Sequence, residues 1–180
     1  GGGSILSTET GYFTRKEQAN HWRLGCQVKV RNDIKIHVPE EVMGIKKWEC
    51  EVVSNRNVAT FIKEFVVKLP EGEHLHFKSG GYIQIDVPKI NVDYKDMVIE
   101  DRFKNDWQKM GLFNLKMVNP EPTFRAYSMA NHPAEGNIIM LNIRIATTPW
   151  DNSKKQFMKV NQGICSSYIF SSKPGDKVTI

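Results

Sequence analysis

At 180 residues the chain is long enough for one compact domain with a tail and a sizeable buried core. Its 40 % hydrophobic and 25 % charged composition is that of a globular protein; no apolar run approaches the ~18 residues of a membrane span, and no signal-peptide pattern opens the chain. The net charge of +5 is scattered, so it admits anionic ligands without making a case for nucleic acid.

In chain order, the first forty residues are set apart. "GGGSILSTETGYFTRKEQANHWRLGCQVKV" is glycine-led and polar, and Val28, Val30, Ile34, Ile36 and Val38 then alternate. This predicts a short helical or irregular piece followed by a β-ribbon, with a domain boundary between Pro39 and Lys46. From Trp48 onward strand patterns dominate. "KKWECEVVSNRNVATFIKEFVVKL" reads as two strands broken by a turn at Ser54-Asn55-Arg56-Asn57. "HFKSGGYIQIDV" reads as a strand entered through Gly80-Gly81. Residues 89–119 form an insertion in which Ile99, Phe103, Trp107 and Met110 recur at helical spacing, predicting a short amphipathic helix packed on the sheet. "TFRAYSMAN" and "GNIIMLNIRIATT" read as a strand pair linked by a proline-bearing turn. "GICSSYIFSSKPGD" predicts a helix starting near Ser166 and stopped by Pro174-Gly175. Many short strands with so little helix point to a mainly β, antiparallel barrel or sandwich.

The stretch "RAYSMAN" carries the chemistry. On a strand, Arg125 and Tyr127 project from one face. A guanidinium suits phosphate oxygens, and a phenol ring offers a flat surface with one polar end. Ser128 sits where the strand ends. About forty positions on, Gly163 followed by Ser166 and Ser167 at a helix start is a second phosphate-friendly device, built from backbone N–H groups and the positive helix end. Two such devices on a β domain predict a diphosphate held between them, and a dinucleotide flavin fits that better than a mononucleotide.

"RAYSMAN" resembles the R-x-Y-[ST] motif of the ferredoxin–NADP reductase family of flavin-binding barrels. "GICSSYIFSSKPGDKVTI" resembles that family's G-x-x-S motif with its helix and "KPGD" turn, and "FKSGGYIQI" resembles its early strand, with Ser79-Gly80-Gly81 standing where Pro-Gly-Gln is usual. Order and spacing match over about 46–180. Within the family, "RAYSMAN", "IIMLNIRIAT", "KKWECEVVSN" and the insertion are most similar to the flavin and iron–sulfur subunits of sodium-translocating NADH:quinone oxidoreductases. The implied fold is a six-stranded antiparallel Greek-key barrel with one capping helix over 46–180. Residues 1–40 would be the C-terminal remnant of a [2Fe–2S] ferredoxin-type domain, since Arg23-Leu24-Gly25-Cys26-Gln27-Val28 looks like that domain's ending. A nicotinamide-binding domain is expected beyond residue 180.

The resemblance implies FAD as cofactor, with Arg125 on the diphosphate, Tyr127 against the isoalloxazine or ribityl chain, and Ser128 near N5; Tyr127 and Ser128 are the expected catalytic residues. Met129, Ala130 and Asn131 would line the ring edge through backbone groups. Gly163, Cys165, Ser166 and Ser167 would form the diphosphate turn, while Asn142 and Arg144 would reach the ribityl or adenosine part or serve the sheet surface. Cys26 would be the fourth cluster ligand of the intact subunit, a [2Fe–2S] cluster needing four ligands that this chain does not itself supply. The implied activity takes hydride from NADH and passes single electrons to the [2Fe–2S] centre, in a sodium-translocating complex that reduces ubiquinone at the cytoplasmic face of the bacterial inner membrane. Partner subunits and an upstream membrane anchor are expected, and nucleic acid is not.

Three side-chain groups look like other chemistry and read as ordinary surface or core. Cys165 has no base beside it for a catalytic thiol. His74, His76 and His132 lack metal-ligand spacing. Asp93, Asp96, Glu100, Asp101 and Asp106 read as a solvated face. Cys26, Cys50 and Cys165 are too irregularly spaced for a disulfide or zinc framework, which favours a reducing compartment. A non-enzymatic oligonucleotide-binding-type barrel is the rival reading, and it leaves the glycine–serine turn without a purpose.

Overall fold

A computed structural model describes residues 3–33, 35, 37 and 46–180. The chain divides into two compact units, 1–45 and 46–180.

In the first unit, helix α1 (Arg15–Ala19) starts on a capping box in which Thr14 and Glu17 bond each other's backbone N–H. Its centre is an ion pair. Glu9 is fully buried and accepts from Arg23 Nε at 2.8 and 2.9 Å and from the N–H groups of Leu6 and Leu24 at 2.7 and 3.0 Å. The Arg23 guanidinium holds the Glu9 carboxyl down to about 2. Cys26 is exposed in the 3-10 turn Gly25–Gln27. Val28 and Val30, expected in a ribbon, lie in no strand; Ile34, Ile36, Val38 and all but the last residue of the expected boundary lie outside the described residues.

The second unit is mainly β. Strands β1 (Glu49–Ala59), β2 (Ile62–Lys68), β7 (Ile138–Arg144) and β10 (Lys177–Thr179) form one antiparallel sheet in the order β10-β1-β2-β7. Pairs β3 (Tyr82–Val87) with β6 (Thr123–Ser128), β4 (Ile90–Asp93) with β5 (Lys116–Asn119), and β8 (Trp150–Asp151) with β9 (Gln156–Phe157) complete it, all antiparallel. Helix α2 (Asp101–Lys109) lies in the insertion, and α3 (Ile164–Ser171) precedes β10. Alternation puts Phe65, Val67, Ile139, Leu141 and Ile143 on the buried face of β2 and β7, and they join Ile85, Trp107, Ile169 and Phe170 in one core.

The six strands expected of a Greek-key barrel are not found as one closed barrel among the described residues, whose ladders make one four-stranded sheet and three pairs. No ladder joins β6 to β7. Instead the two meet at one end, where the Ala130 N–H donates to Met140 O at 2.7 Å. The buried Asn131 amide finishes the join there, donating to Ile138 O at 2.9 Å and accepting from the Met140 N–H at 3.0 Å. A side-chain amide thus takes the place of ladder bonds. For the same reason "TFRAYSMAN" and the following strand are not partners: β6 pairs with β3 and β7 with β2.

The turn expected at Ser54–Asn57 is also absent. β1 runs through it with irregularities after Val52 and Asn57, and the chain reverses at Thr60–Phe61. Its turn-type side chains are used elsewhere. Asn55 Nδ2 donates to Ile169 O and Ser172 O, both at 2.7 Å, closing the carbonyl end of α3. The helix expected in the insertion is present, with Trp107 fully buried and Ile99 packed in the core, while Met110 is exposed. Strands β4 and β5 flank it.

Candidate functional site

Strand β6 places Arg125 opposite Ile85 and Tyr127 opposite Ile83. Opposed residues share a face, so Arg125 and Tyr127 leave the ribbon on the side of Ile85 and Ile83; Tyr127 is half-buried there against the core, while Arg125 reaches solvent. The Tyr127 hydroxyl meets the thiol of Cys165 in the first turn of α3, and the Arg125 charge is felt by both groups. The fold therefore brings the Tyr127 ring to a helix start that lies about forty positions away in sequence, with the Arg125 charge felt there. Burial pushes the Cys165 thiol up to about 11 and raises the Tyr127 phenol above its ordinary range. Both keep their protons at neutral pH, which leaves Cys165 without nucleophilic character. Arg125 is exposed, its head donating to Phe124 O at 2.7 Å and to Thr123 Oγ1 at 3.3 Å.

Helix α3 begins at Gly163 with no side-chain cap. The N–H groups of its first turn have no partner within the helix, and they carry its positive end. Gly163 is required by packing rather than by dihedral: its N–H donates to Ala146 O at 2.7 Å, and a Cβ there would come within 2.5 Å of Ala146 Cβ. The Ser166 and Ser167 hydroxyls turn inward. Ser166 Oγ accepts from the Ala146 N–H at 3.1 Å and donates to Gly163 O at 3.2 Å; Ser167 Oγ donates to Gly163 O at 2.7 Å. They build the turn, and what remains to meet an anion is backbone. At the far end Pro174-Gly175 stops the helix, Gly175 taking the left-handed conformation at φ 93°.

The remaining expected residues fall into different settings. Ser128 is exposed at the end of β6. Met129 is buried with its N–H on Gly81 O at 2.9 Å, and the Ala130 N–H is already engaged with Met140. Those two N–H groups are therefore not available to a ligand, and Asn131 is used in joining β6 to β7. Asn142 and Arg144 sit on the exposed side of β7, opposite Glu64 and Ile62, in a different sheet from Arg125. No described contact connects them to Tyr127 or Cys165. Cys26 stands alone: the described residues contain no group of three or more His, Cys, Asp or Glu able to hold a metal. Three of the five acidic residues named in the insertion are paired, Asp93 with Lys95 and Lys116, Asp101 with Lys104, and Glu100 with Arg102. An open cleft of about 500 Å³, lined by Thr123, Phe124, Tyr168 and Lys177 among others, lies beside the arrangement without including Arg125, Tyr127 or Cys165. Geometry and charge, not cavity size, mark this site.

Two contributors escape the sequence. Tyr94 and Lys63 are both fully buried and both contact α3. Period two puts Tyr94 in phase with buried Val92, and Lys63 in phase with buried Phe65 and Val67, which marks both as inward-facing but says nothing of their contact with α3.

No family model matches the chain. It is 54 % identical over all 180 residues to the F subunit of a Na(+)-translocating NADH-quinone reductase of Methylococcus capsulatus, covering 43 % of that protein. It is 53 % identical over its full length to the corresponding F subunit of Shewanella putrefaciens, covering 58 % of it. The chain thus spans about half the length of these curated relatives. Among solved structures, the cytochrome b5 reductase domain of Ulva prolifera nitrate reductase resembles it over 74 % of this chain and 38 % of that one, with 14 % identity and a TM-score of 0.46. No described helix is long and apolar enough to cross a membrane.

Proposed function

Because the chain is homologous along all 180 residues to the F subunits of Na(+)-translocating NADH-quinone reductases, we propose that residues 46–180 are the FAD-binding module of such an oxidoreductase. The observation that carries this is the meeting of Tyr127 with Cys165 in the uncapped first turn of α3, on the strand that also carries Arg125, whose charge both groups feel. The residues present fit the group. A diphosphate needs a cation and converging N–H donors with close backbone approach, and Arg125, the first turn of α3 and the Gly163 packing supply them.

Arg125 pairs with the diphosphate. The N–H groups at the start of α3 hold its remaining oxygens. Tyr127 lays its ring along the isoalloxazine or ribityl portion and keeps its own proton. Ser128 offers a hydroxyl toward the ring edge at N5. Met129, Ala130 and Asn131 act by fixing the strand end that carries Ser128. Asn142 and Arg144 belong to the sheet surface. When bound, FAD supplies the hydride and single-electron chemistry, and the protein supplies orientation and electrostatics.

In the same reading the hydride comes from NADH, and the chain works with partner subunits in a sodium-translocating, quinone-reducing complex at the cytoplasmic face of a bacterial inner membrane. The [2Fe–2S] cluster does not fit these residues: it needs four ligands, and the described residues hold no group of three or more His, Cys, Asp or Glu around Cys26 or elsewhere. Cys26 is proposed only as one ligand of a set that these 180 residues do not complete, with 1–40 as the ferredoxin-type remnant around it.

Titration of the apoprotein with FAD tests the reading. The wild type should bind FAD more tightly than riboflavin, which lacks phosphate. Arg125→Ala should weaken FAD binding about ten- to hundredfold, the worth of a charge-assisted pair of roughly 1.5–3 kcal/mol, with little change in melting temperature. Equal dissociation constants for wild type and variant would remove Arg125 from the site.

A further inference from the structure

Tyr94 follows β4 directly, inside the insertion, and is fully buried. Its hydroxyl lies 2.7 Å from Ser167 Oγ, and Ser167 Oγ lies 2.7 Å from Gly163 O. A serine hydroxyl has one proton and a carbonyl can only accept. Ser167 therefore directs its proton to Gly163, and the Tyr94 phenol donates to Ser167. Burial pushes that phenol up to about 12, so it stays protonated at neutral pH. The order of donation is settled: Tyr94 O–H to Ser167, Ser167 O–H to Gly163.

The Gly163 carbonyl also accepts from the Ser167 N–H at 3.0 Å and the Ser166 hydroxyl at 3.2 Å. In a trans peptide the carbonyl and the following N–H point in opposite directions. Drawing the Gly163 carbonyl into the helix therefore turns the Ile164 N–H outward, at the helix start. Donors on the carbonyl side also polarise the shared peptide and strengthen its N–H as a donor.

We infer that Tyr94 is a positioning residue for the anion-binding turn: through Ser167 it sets the aim and donor strength of the Gly163–Ile164 peptide, and so gives the 89–119 insertion a part in ligand affinity. This rests on the diphosphate reading of the α3 start.

The test compares FAD and riboflavin binding, and apoprotein melting temperature, in wild type, Tyr94→Phe, Ser167→Ala and the double variant. Phenylalanine keeps the ring and removes only the hydroxyl. Tyr94→Phe should bind FAD about tenfold more weakly, the worth of roughly one buried hydrogen bond, and riboflavin as wild type does. The double variant should bind FAD no more weakly than Ser167→Ala alone, because both changes cut one chain. An unchanged FAD affinity, an equal loss for both ligands, or additive losses would overturn the inference. Should Tyr94→Phe not fold, Ser167→Ala alone carries the same FAD-against-riboflavin comparison. A wild type that binds FAD no better than riboflavin would remove the diphosphate reading itself, and the inference with it.

Discussion

Replacing Trp107 with alanine should lower the stability of the second unit by about 3–5 kcal/mol, the range for a large aromatic truncated in a core. Trp107 has no exposed surface. Its ring stacks on Phe170 with centroids 6.0 Å apart and planes 22° apart, and it also meets Phe113 at 5.5 Å and Tyr94 at 6.2 Å. Its Nε1–H donates to Thr60 O at 2.7 Å, at the turn between β1 and β2. The insertion is thus tied to the main sheet and to α3 through one side chain. Urea unfolding followed by circular dichroism measures the loss. Trp107→Phe should cost less than Trp107→Ala, since it retains much of the packing and gives up the indole bond. A loss below about 1 kcal/mol for the alanine variant, the size typical of an ordinary substitution, would show that the insertion is peripheral to the fold.

Lys63→Met should stabilise the protein at neutral pH and destabilise it in alkali. Lys63 is fully buried on β2, with Nζ 3.3 Å from Phe170 O and 5.3 Å from the centre of the Phe170 ring. Burial pushes its ammonium down to about 8, against the opposing pull of the Glu100 charge. An unfolded lysine titrates near about 10.4, so holding this one charged costs about 3 kcal/mol at pH 7. Between about pH 8 and 10.4 the unfolded chain binds more protons than the folded one, and the cost fades as pH rises through that window. Methionine removes the charge but leaves Phe170 O without its donor, a loss of about 1 kcal/mol. The variant should therefore be about 2 kcal/mol more stable than wild type at pH 7 and about 1 kcal/mol less stable near pH 10.4. Paired urea titrations at the two pH values, wild type against variant, cancel every other titrating group to first order. A difference that does not change sign would mean that Lys63 is not buried as a cation.

How much of this was legible in the sequence depends on how local each signal is. The helix of the insertion announces itself in the spacing of Ile99, Phe103 and Trp107, and α3 in its glycine–serine start and Pro174-Gly175 stop. Period-two alternation locates β2, β3, β6 and β7, and it puts Arg125 beside Tyr127. Pairing is another matter, because which strand lies next to β6 is decided by the whole core and by Asn131. The misplaced turn in β1 has the same cause. Asn55 has turn-forming chemistry, yet its amide is engaged with carbonyls more than a hundred residues away, at the end of α3. Serine at a helix start reads as a cap facing outward; whether the hydroxyl faces a ligand or the interior depends on Ala146 and Tyr94, which no local window contains. Lys63 shares the inward phase of Phe65 and Val67, but that its ammonium ends on Phe170 at the far end of α3 is beyond any local window.

The three thiols differ in a way that matters at the bench. Cys50 and Cys165 are 0 % and 2 % exposed and are pushed by burial up to about 11, whereas Cys26 is open to solvent. Alkylating reagents attack the accessible thiolate, so a maleimide dye or nitroxide should settle on Cys26 and leave the other two untouched in the folded state. The natural sequence is then its own single-site labelling variant, with the reporter on the amino-terminal unit and any yellow chromophore bound near Tyr127 as an energy-transfer acceptor on the other. The separation of the two units in solution becomes a fluorescence measurement that requires no engineered cysteine.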